Sequence, residues 1–423
     1  MKPLRADILA IGSELLHGGR VDSNSLFIAD MLFHCGIRVS KKMALSDEQA
    51  DIQAALWASS KQADVVILTG GLGSTVDDRT REAVAATFGR PLAVRRKAMQ
   101  ILKRQVHCRG RIVTPLLARQ ALMPLGAIVL DNRVGTAPGF YMQERKTHVF
   151  VLPGVPREAH EMMDLQVQPI LKRKLRARAF FWSHAFNTMG LPEIDIQQRV
   201  SPFFQQPSAI ALSLLASTKG VKVTLSCWRP KNQKLTKSNS PKEFPEGDLL
   251  IQQVRKTLEP WLFSEGEETM EEVVGQLLSS HHWTLGLAES CTGGLIAHRL
   301  TEVPGSSTYL DRGVVTYSNK AKQELLGVSP AILRKYGAVS AQVAEAMAKG
   351  IREKSRVDLG FSVTGIAGPG GGSAKKPVGL VYMAIDGPRG SQSQRCQFWG
   401  NRTEIKFRTS QAALDMIRRY CLQ

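Results

Sequence analysis

Short apolar runs ending in glycine alternate with amphipathic stretches through the first 170 residues. Ala6 to Gly12 (ADILAIG) and Ala63 to Gly71 (ADVVILTGG) have the near-continuous hydrophobicity of strands buried on both faces of a parallel sheet. Ser23 to Gly36 (SNSLFIADMLFHCG) reads as a helix: Leu26, Ala29, Met31 and Leu32 are its apolar positions, Ser23 or Asn24 its cap and Gly36 its stop. The second strand passes through a glycine turn into the helix DDRTREAVAATFG, which closes at Gly89. Thr147 to Met163 (THVFVLPGVPREAHEMM) repeats strand, Pro-Gly turn and helix. This order predicts a doubly wound α/β domain over residues 1–170.

The pattern changes over residues 171–264. Val221 to Trp228 (VKVTLSCW) alternates as a half-exposed antiparallel strand does. The polar, Pro- and Lys-rich stretch Arg229 to Gly247 reads as a loop, and DLLIQQVRKTLEPWL as a helix. A small α+β module is expected there. From 265 to 423 the α/β grammar returns. The helix EETMEEVVGQLLSSHH precedes the strand WTLGLAES, the helix CTGGLIAHRLTEV and the strand GVVTYSN. The helix SAQVAEAMAKGIREKS, the strands DLGFSVTGIAGPGGG and PVGLVYMAID and a final helix ending at Arg419 complete it.

Composition narrows the functional classes. No stretch approaches the ~18 consecutive apolar residues of a membrane span. Asp7 and Glu14 interrupt the N-terminal apolar run, which does not read as a signal peptide, so a cytoplasmic protein with no membrane partner is expected. The six cysteines form no CxxC pair, which argues against a disulfide framework or a structural zinc site. A formal net charge of +19 favours anionic partners without choosing among nucleotides, phosphates and nucleic acid.

Three segments carry candidate chemistry. In LGLAESCTGGLIAHRL (Leu285 to Leu300) a strand delivers Ser290 to a tight turn, and Thr292, Gly293 and Gly294 open a helix whose N–H groups can hold an anion or a developing oxyanion. A hydroxyl nucleophile beside such a cradle suits acyl transfer, and phosphate binding without catalysis fits the same residues. Cys291 is a competing nucleophile by chemistry. RGVVTYSNKAKQELLGV places Tyr317 and Lys322 at the end of a strand. With no His–Asp pair near Ser290, a lysine base helped by a tyrosine hydroxyl is the better candidate, although spacing alone also allows a surface helix lysine. SVTGIAGPGGGSAKKPVG (Ser362 to Gly379) opens a strand into a glycine-rich loop in which Thr364, Gly365 and Gly368 can meet a nucleotide. It is neither a Walker A loop nor a dinucleotide fingerprint.

Together AESCTGG, VVTYSN with its lysine, GAVSAQVAEAMAKG and SVTGIAGPGGG…KPVGLVY resemble, in that order, the C-terminal domain of the CinA family, a domain similar to stand-alone nicotinamide-mononucleotide amidases of the PncC type. The resemblance implies hydrolysis of nicotinamide mononucleotide (NMN) to nicotinate mononucleotide and ammonia, with no cofactor. It puts the family's serine, tyrosine and lysine on Ser290, Tyr317 and Lys322, and it favours Ser290 over Cys291.

GSELLHGGRVDSNS, TGGLGSTVDDRT, NRVGTAPGF and LPGVPREAHEMM resemble the same family's N-terminal domain, of the MoaB and MogA molybdopterin-binding type. That likeness implies a metal-dependent ADP-ribose pyrophosphatase. Gly70, Gly71, Gly73 and Thr75 would cradle the diphosphate, and Glu14, Asp22, Asp77 and Asp78 would hold a divalent cation. Asp77 or Asp78 capping the following helix is the competing structural role. Ser74 stands where the family usually has proline, and Ser13 where it usually has Asp or Asn. The middle region corresponds to the family's KH-like domain but has no GXXG loop, so a spacer or dimer-forming role is expected and nucleic-acid binding is not. The remaining alternatives are a nucleotide- or pterin-binding protein without chemistry and an interaction protein tied to competence or DNA damage.

Overall fold

The structure, a computed structural model, describes residues 3–175, 179–204, 209–230 and 244–423. Most of the polar loop expected over Arg229 to Gly247 lies outside the described residues. The chain divides into two compact units, residues 1–182 with 227–239, and residues 183–226 with 240–423.

The first unit is built on a six-stranded sheet. Its order is Ile37–Leu45, Leu4–Ile11, Val65–Thr69, Thr147–Leu152, Gly139–Glu144, Ile128–Leu130. The first four strands are parallel and the last two antiparallel. Strand side chains alternate between two faces, so a run such as Val65–Thr69, apolar almost throughout, must be covered on both. It is: Leu9, Ile11, Val66, Leu68, Val149 and Val151 belong to one core, and Ala6, Ile8, Val65, Ile67, Phe150 and Leu152 to another. The expected doubly wound domain is the observed one. The strand Ile37–Leu45 was not anticipated because IRVSKKMAL lies at the sheet edge and mixes cations with apolar residues.

Two sheets form the framework of the second unit. A four-stranded sheet, most of whose residues belong to this unit, has the order Ala211–Ser217, Gly220–Pro230, Ala179–Thr188, Leu262–Glu265. In it Val221, Val223, Leu225 and Cys227 are buried while the residues between them are not, the alternation expected for that strand. A five-stranded sheet follows, in the order Leu310–Val315, Leu285–Glu289, Leu359–Gly365, Leu380–Gly387, Gly390–Gln397. Its first three strands are parallel and the others antiparallel. The edge strand Gly390–Gln397 is nearly all polar, which hid it from the hydrophobic pattern. Leu285, Leu287, Phe361, Val363, Val381 and Met383 pack with Val274, Leu278, Leu414 and Ile417 on one face. On the other, Ala288 joins Val343, Met347 and Ile351. Among the described residues no helix is long and apolar enough to cross a membrane.

The helix Ala341–Ser355 lies close against this sheet, because Gly360 faces it without a side chain. A Cβ on Gly360 would fall 2.1 Å from the Ala348 carbonyl oxygen and 2.7 Å from Arg352 Cβ. Backbone cannot yield as a flexible side chain does, so Gly360→Ala must push the helix off the sheet. We expect a loss of ~1–3 kcal/mol, read in urea unfolding as a lower midpoint with an unchanged slope.

Candidate active site

The strand Leu285–Glu289 is flanked on both sides by parallel partners, and it ends at the carboxyl edge, where ligands of open α/β sheets bind. Ser290 follows. Its N–H donates to the Val363 carbonyl at 3.1 Å, holding the first residue of the turn to the neighbouring strand. Gly293 and Gly294 adopt φ +63° and +92°, left-handed backbone that favours glycine, and so reverse the chain into the helix Leu295–Thr301.

Lys322 lies not on a strand but on the helix Asn319–Leu326, whose N-cap Ser318 accepts from the Ala321 N–H. The side chain is 1 % exposed. Its Nζ lies 3.1 Å from Ser290 Oγ and 2.6 Å from the Thr316 carbonyl oxygen, to which it donates. Burial disfavours the ammonium and pulls the Lys322 pKa below its ordinary value, and the nearby Cys291 sulfur offsets only part of that. A neutral amine has two N–H bonds and one lone pair. With one N–H committed to Thr316, the lone pair can accept from the Ser290 hydroxyl, as a general base requires.

Cys291 is 7 % exposed, and burial pushes its thiol up to about 12. At neutral pH it is a thiol and a poor nucleophile. Tyr317 is 63 % exposed and is not bonded to Ser290 or Lys322; its hydroxyl accepts from Arg402 Nη2 at 2.8 Å. Arg402 also donates to the Gly368 carbonyl at 2.6 Å, tying Tyr317 to the glycine-rich loop. Lys406, one turn on, brings its Nζ to 3.6 Å from where a Gly293 Cβ would stand. Neither cation was visible in the motifs, because both come from the last helix, more than a hundred residues after Ser290.

The expected anion cradle at the helix start needs correction. The Glu289 carboxylate already accepts from the N–H groups of Gly294 at 3.0 Å, Ile296 at 3.2 Å and Ala297 at 2.8 Å. Gly293 N–H donates to the Ser290 carbonyl. Thr292 is fully buried, and among the described residues its Oγ1 has no hydrogen-bond partner. Thr364 Oγ1 donates to the Ala338 carbonyl, and a Cβ on Gly365 would fall 2.7 Å from Val381 Cγ2, so both serve packing. Of the three loop residues expected to meet substrate, Gly368 is the one bonded to Arg402, through its carbonyl.

In the first unit the four proposed metal ligands do not converge. Glu14 and Asp22 line a cleft of about 80 Å³ with Arg20, Asn24, Thr69 and Gly154. Asp22 caps the helix Ser23–His34 by accepting from the Ser25 N–H. Asp77 is exposed and outside the cleft lining. Asp78 folds back on its own turn: it accepts from the Gly73 N–H at 2.7 Å, the Thr75 N–H at 2.8 Å and the Thr75 hydroxyl at 2.5 Å. Among the described residues no group of three or more His, Cys, Asp or Glu side chains is placed to hold a metal ion. The carboxylates present do not fit the divalent cation that the resemblance implies. Gly70 and Gly71, with φ +110° and +64°, make the turn pack: a Cβ would fall 2.0 Å from the Ile11 carbonyl oxygen and 2.1 Å from Thr80 Oγ1 respectively. Gly70, Gly71, Gly73 and Thr75 all lie outside the cleft lining.

Comparison with known proteins agrees with both halves. Residues 267–421 match the CinA C-terminal domain, and residues 7–173 a probable molybdopterin binding domain. A CinA-like protein of Geotalea uraniireducens is 39 % identical, over 98 % of this chain and 97 % of its own. A putative competence-damage inducible protein of Moorella thermoacetica is 38 % identical over 98 % of each. The crystal structure of the competence/damage inducible protein CihA from Agrobacterium tumefaciens covers 36 % of this chain and 96 % of its own, with 45 % identity and a TM-score of 0.35. With relatives this similar along almost the whole length, the chain belongs to the CinA family.

Proposed function

We propose that the second unit is a serine amidohydrolase whose substrate is the carboxamide of nicotinamide mononucleotide. The observation that carries this reading is the buried contact between Lys322 Nζ and Ser290 Oγ, with Lys322 held towards its neutral form. As Ser290 Oγ attacks the carboxamide carbon, Lys322 takes its proton. The resulting tetrahedral adduct collapses when Lys322 returns that proton to the departing nitrogen, which leaves as ammonia. An acyl ester on Ser290 remains. Water, deprotonated by the same amine, cleaves it to nicotinate mononucleotide and free Ser290. The substrate's phosphate is matched by the guanidinium of Arg402 and the ammonium of Lys406 at the edge of the turn. Every proton moves through Lys322, so this half needs no cofactor.

For the first unit we propose a nucleotide- or pterin-binding cleft bordered by Glu14, Asp22, Asn24 and Thr69. No cleavage step through a metal is derived for it, since its carboxylates do not gather around a common point.

Ammonia release from NMN by the full chain tests the amidase. Ser290→Ala and Lys322→Met should each lower kcat by about 10³-fold or more, as removal of either member of a nucleophile–base pair does. Cys291→Ala should stay within about two-fold of the parent, because a buried protonated thiol takes no part. If Cys291→Ala abolishes turnover and Ser290→Ala does not, the nucleophile is the thiol.

The pH dependence has a fixed sign. The base must be neutral, so kcat/KM falls as pH drops through the pKa of Lys322. Burial lowers that pKa, which places this limb below the range of an ordinary lysine. Lys322→Arg, always charged, should be inactive throughout. A profile whose acid limb sits at the pKa of an ordinary lysine would rule out a depressed Lys322 as the base.

A further inference from the structure

Glu289 ends the strand that delivers Ser290, and it is bonded in two directions. The residue is 1 % exposed. Oε2 accepts from the N–H groups of Gly294 and Ile296 and Oε1 from that of Ala297, so the side chain reaches over the turn and grips the start of the helix beyond. Its main-chain carbonyl accepts from the Thr316 N–H at 2.7 Å. Thr316 in turn offers its own carbonyl to Lys322 Nζ at 2.6 Å, and Lys322 meets Ser290 Oγ. The path closes on itself: Glu289, Thr316, Lys322, Ser290 and, through one peptide bond, Glu289 again.

The charge on Glu289 is not there to balance Lys322 or Arg402. Among the described residues its carboxylate is hydrogen-bonded to backbone N–H groups alone. Burying a carboxylate costs free energy that three charge-assisted bonds and the positive end of the helix offset. That arrangement also occupies the N–H groups of Gly294, Ile296 and Ala297, which are then closed to a substrate anion. Glu289 therefore acts on geometry and not on ligand binding. Resting on the amidase reading above, we propose that Glu289 is a positioning residue: its carboxylate fixes the turn that carries Ser290, and its carbonyl fixes the peptide that steers Lys322, so that nucleophile and base meet before substrate arrives.

Glu289→Gln is the informative change. Where the carboxylate has two acceptors, the carboxamide has one acceptor and one NH₂. With its oxygen kept on Gly294 and Ile296, the NH₂ faces the Ala297 N–H, donor against donor. The turn then relaxes and Ser290 Oγ drifts from Lys322.

The experiment measures two things on the full chain. The first is kcat and KM for NMN. The second is the rate at which a fluorophosphonate probe phosphonylates Ser290, followed by intact-mass spectrometry. In Glu289→Gln we expect kcat and the labelling rate to fall together by about 100-fold, the loss that ~1 Å of misplacement produces, with KM within about two-fold of the parent. Glu289→Asp, one methylene shorter, should lie between the two. Circular dichroism at the assay temperature checks that the variants are folded; should Glu289→Gln not fold, Glu289→Asp takes the same test and must show the same paired loss.

Parent-like labelling of the folded variant overturns the proposal. So does a loss confined to KM, which would make the helix start a substrate contact. The probe needs no NMN. If NMN is not hydrolysed but Glu289 substitution still slows labelling of Ser290, the positioning role stands and only the substrate assignment falls. If Ser290 of the parent is not labelled at all, both fall.

Discussion

A lysine amine kept dry beside a serine hydroxyl is the constraint on which the proposed amidase chemistry depends. Removing an ammonium from water is costly unless it is paired, and burial of Lys322 accordingly lowers its pKa. Lys322 has no carboxylate partner among the described residues; its bonds are to the Ser290 hydroxyl and the Thr316 carbonyl. A salt bridge there would favour the ammonium and oppose the role of base proposed for it. Two neighbours show how the rule is kept. The Glu289 carboxylate is occupied by three backbone N–H groups, and the Cys291 sulfur is held as a thiol by its own burial. Each lies next to Ser290 in the chain, and neither supplies an ion partner to the lysine.

That constraint explains which parts of the site were legible in the sequence. Ser290 was, because an apolar strand running into SCTGG forces a tight turn, and the residue at a strand's carboxyl end is presented to a cleft. Lys322 was half legible. Its distance from the preceding strand was readable, but KAKQELL looks like an ordinary surface helix, and only the packing of that helix buries the amine. Arg402 and Lys406 were not, since no local pattern says that the last helix begins beside a turn more than a hundred residues earlier. Tyr317 carried over by resemblance, yet its hydroxyl engages Arg402 and not the dyad. The doubly wound first domain was read correctly because period-two burial on two faces leaves near-continuous apolar runs, whereas edge strands such as Ile37–Leu45 and Gly390–Gln397 carry too few apolar residues to register.

Asp78 and Glu289 meet the same physical choice. A carboxylate near a glycine turn has two uses, to hold a cation or to accept from the turn's own N–H groups, and composition does not separate them. Spacing does. Asp78 is five residues after Gly73 and three after Thr75, close enough to curl back onto both amides. Glu289 is five to eight residues before Gly294, Ile296 and Ala297, across a turn that brings the helix start over its side chain. In each unit the strand–glycine–helix junction is thus closed by a carboxylate of its own sequence.

This has a consequence for anion recognition. The positive potential at a helix start and the N–H groups of a glycine turn are the usual backbone means of holding a phosphate. Where an internal carboxylate has taken those groups, a phosphate brought to the same spot meets like charge instead of free donors. Under the amidase proposal the anionic substrate would then be held by cations from elsewhere in the fold, Lys406 beside Gly293 and Arg402 one turn before Lys406 on the same helix. Separating the two tasks has a mechanistic advantage. In the amidase proposed above, the turn that aims Ser290 is held by the Glu289 carboxylate before substrate arrives, while Arg402 and Lys406 would attract the substrate from a separate helix.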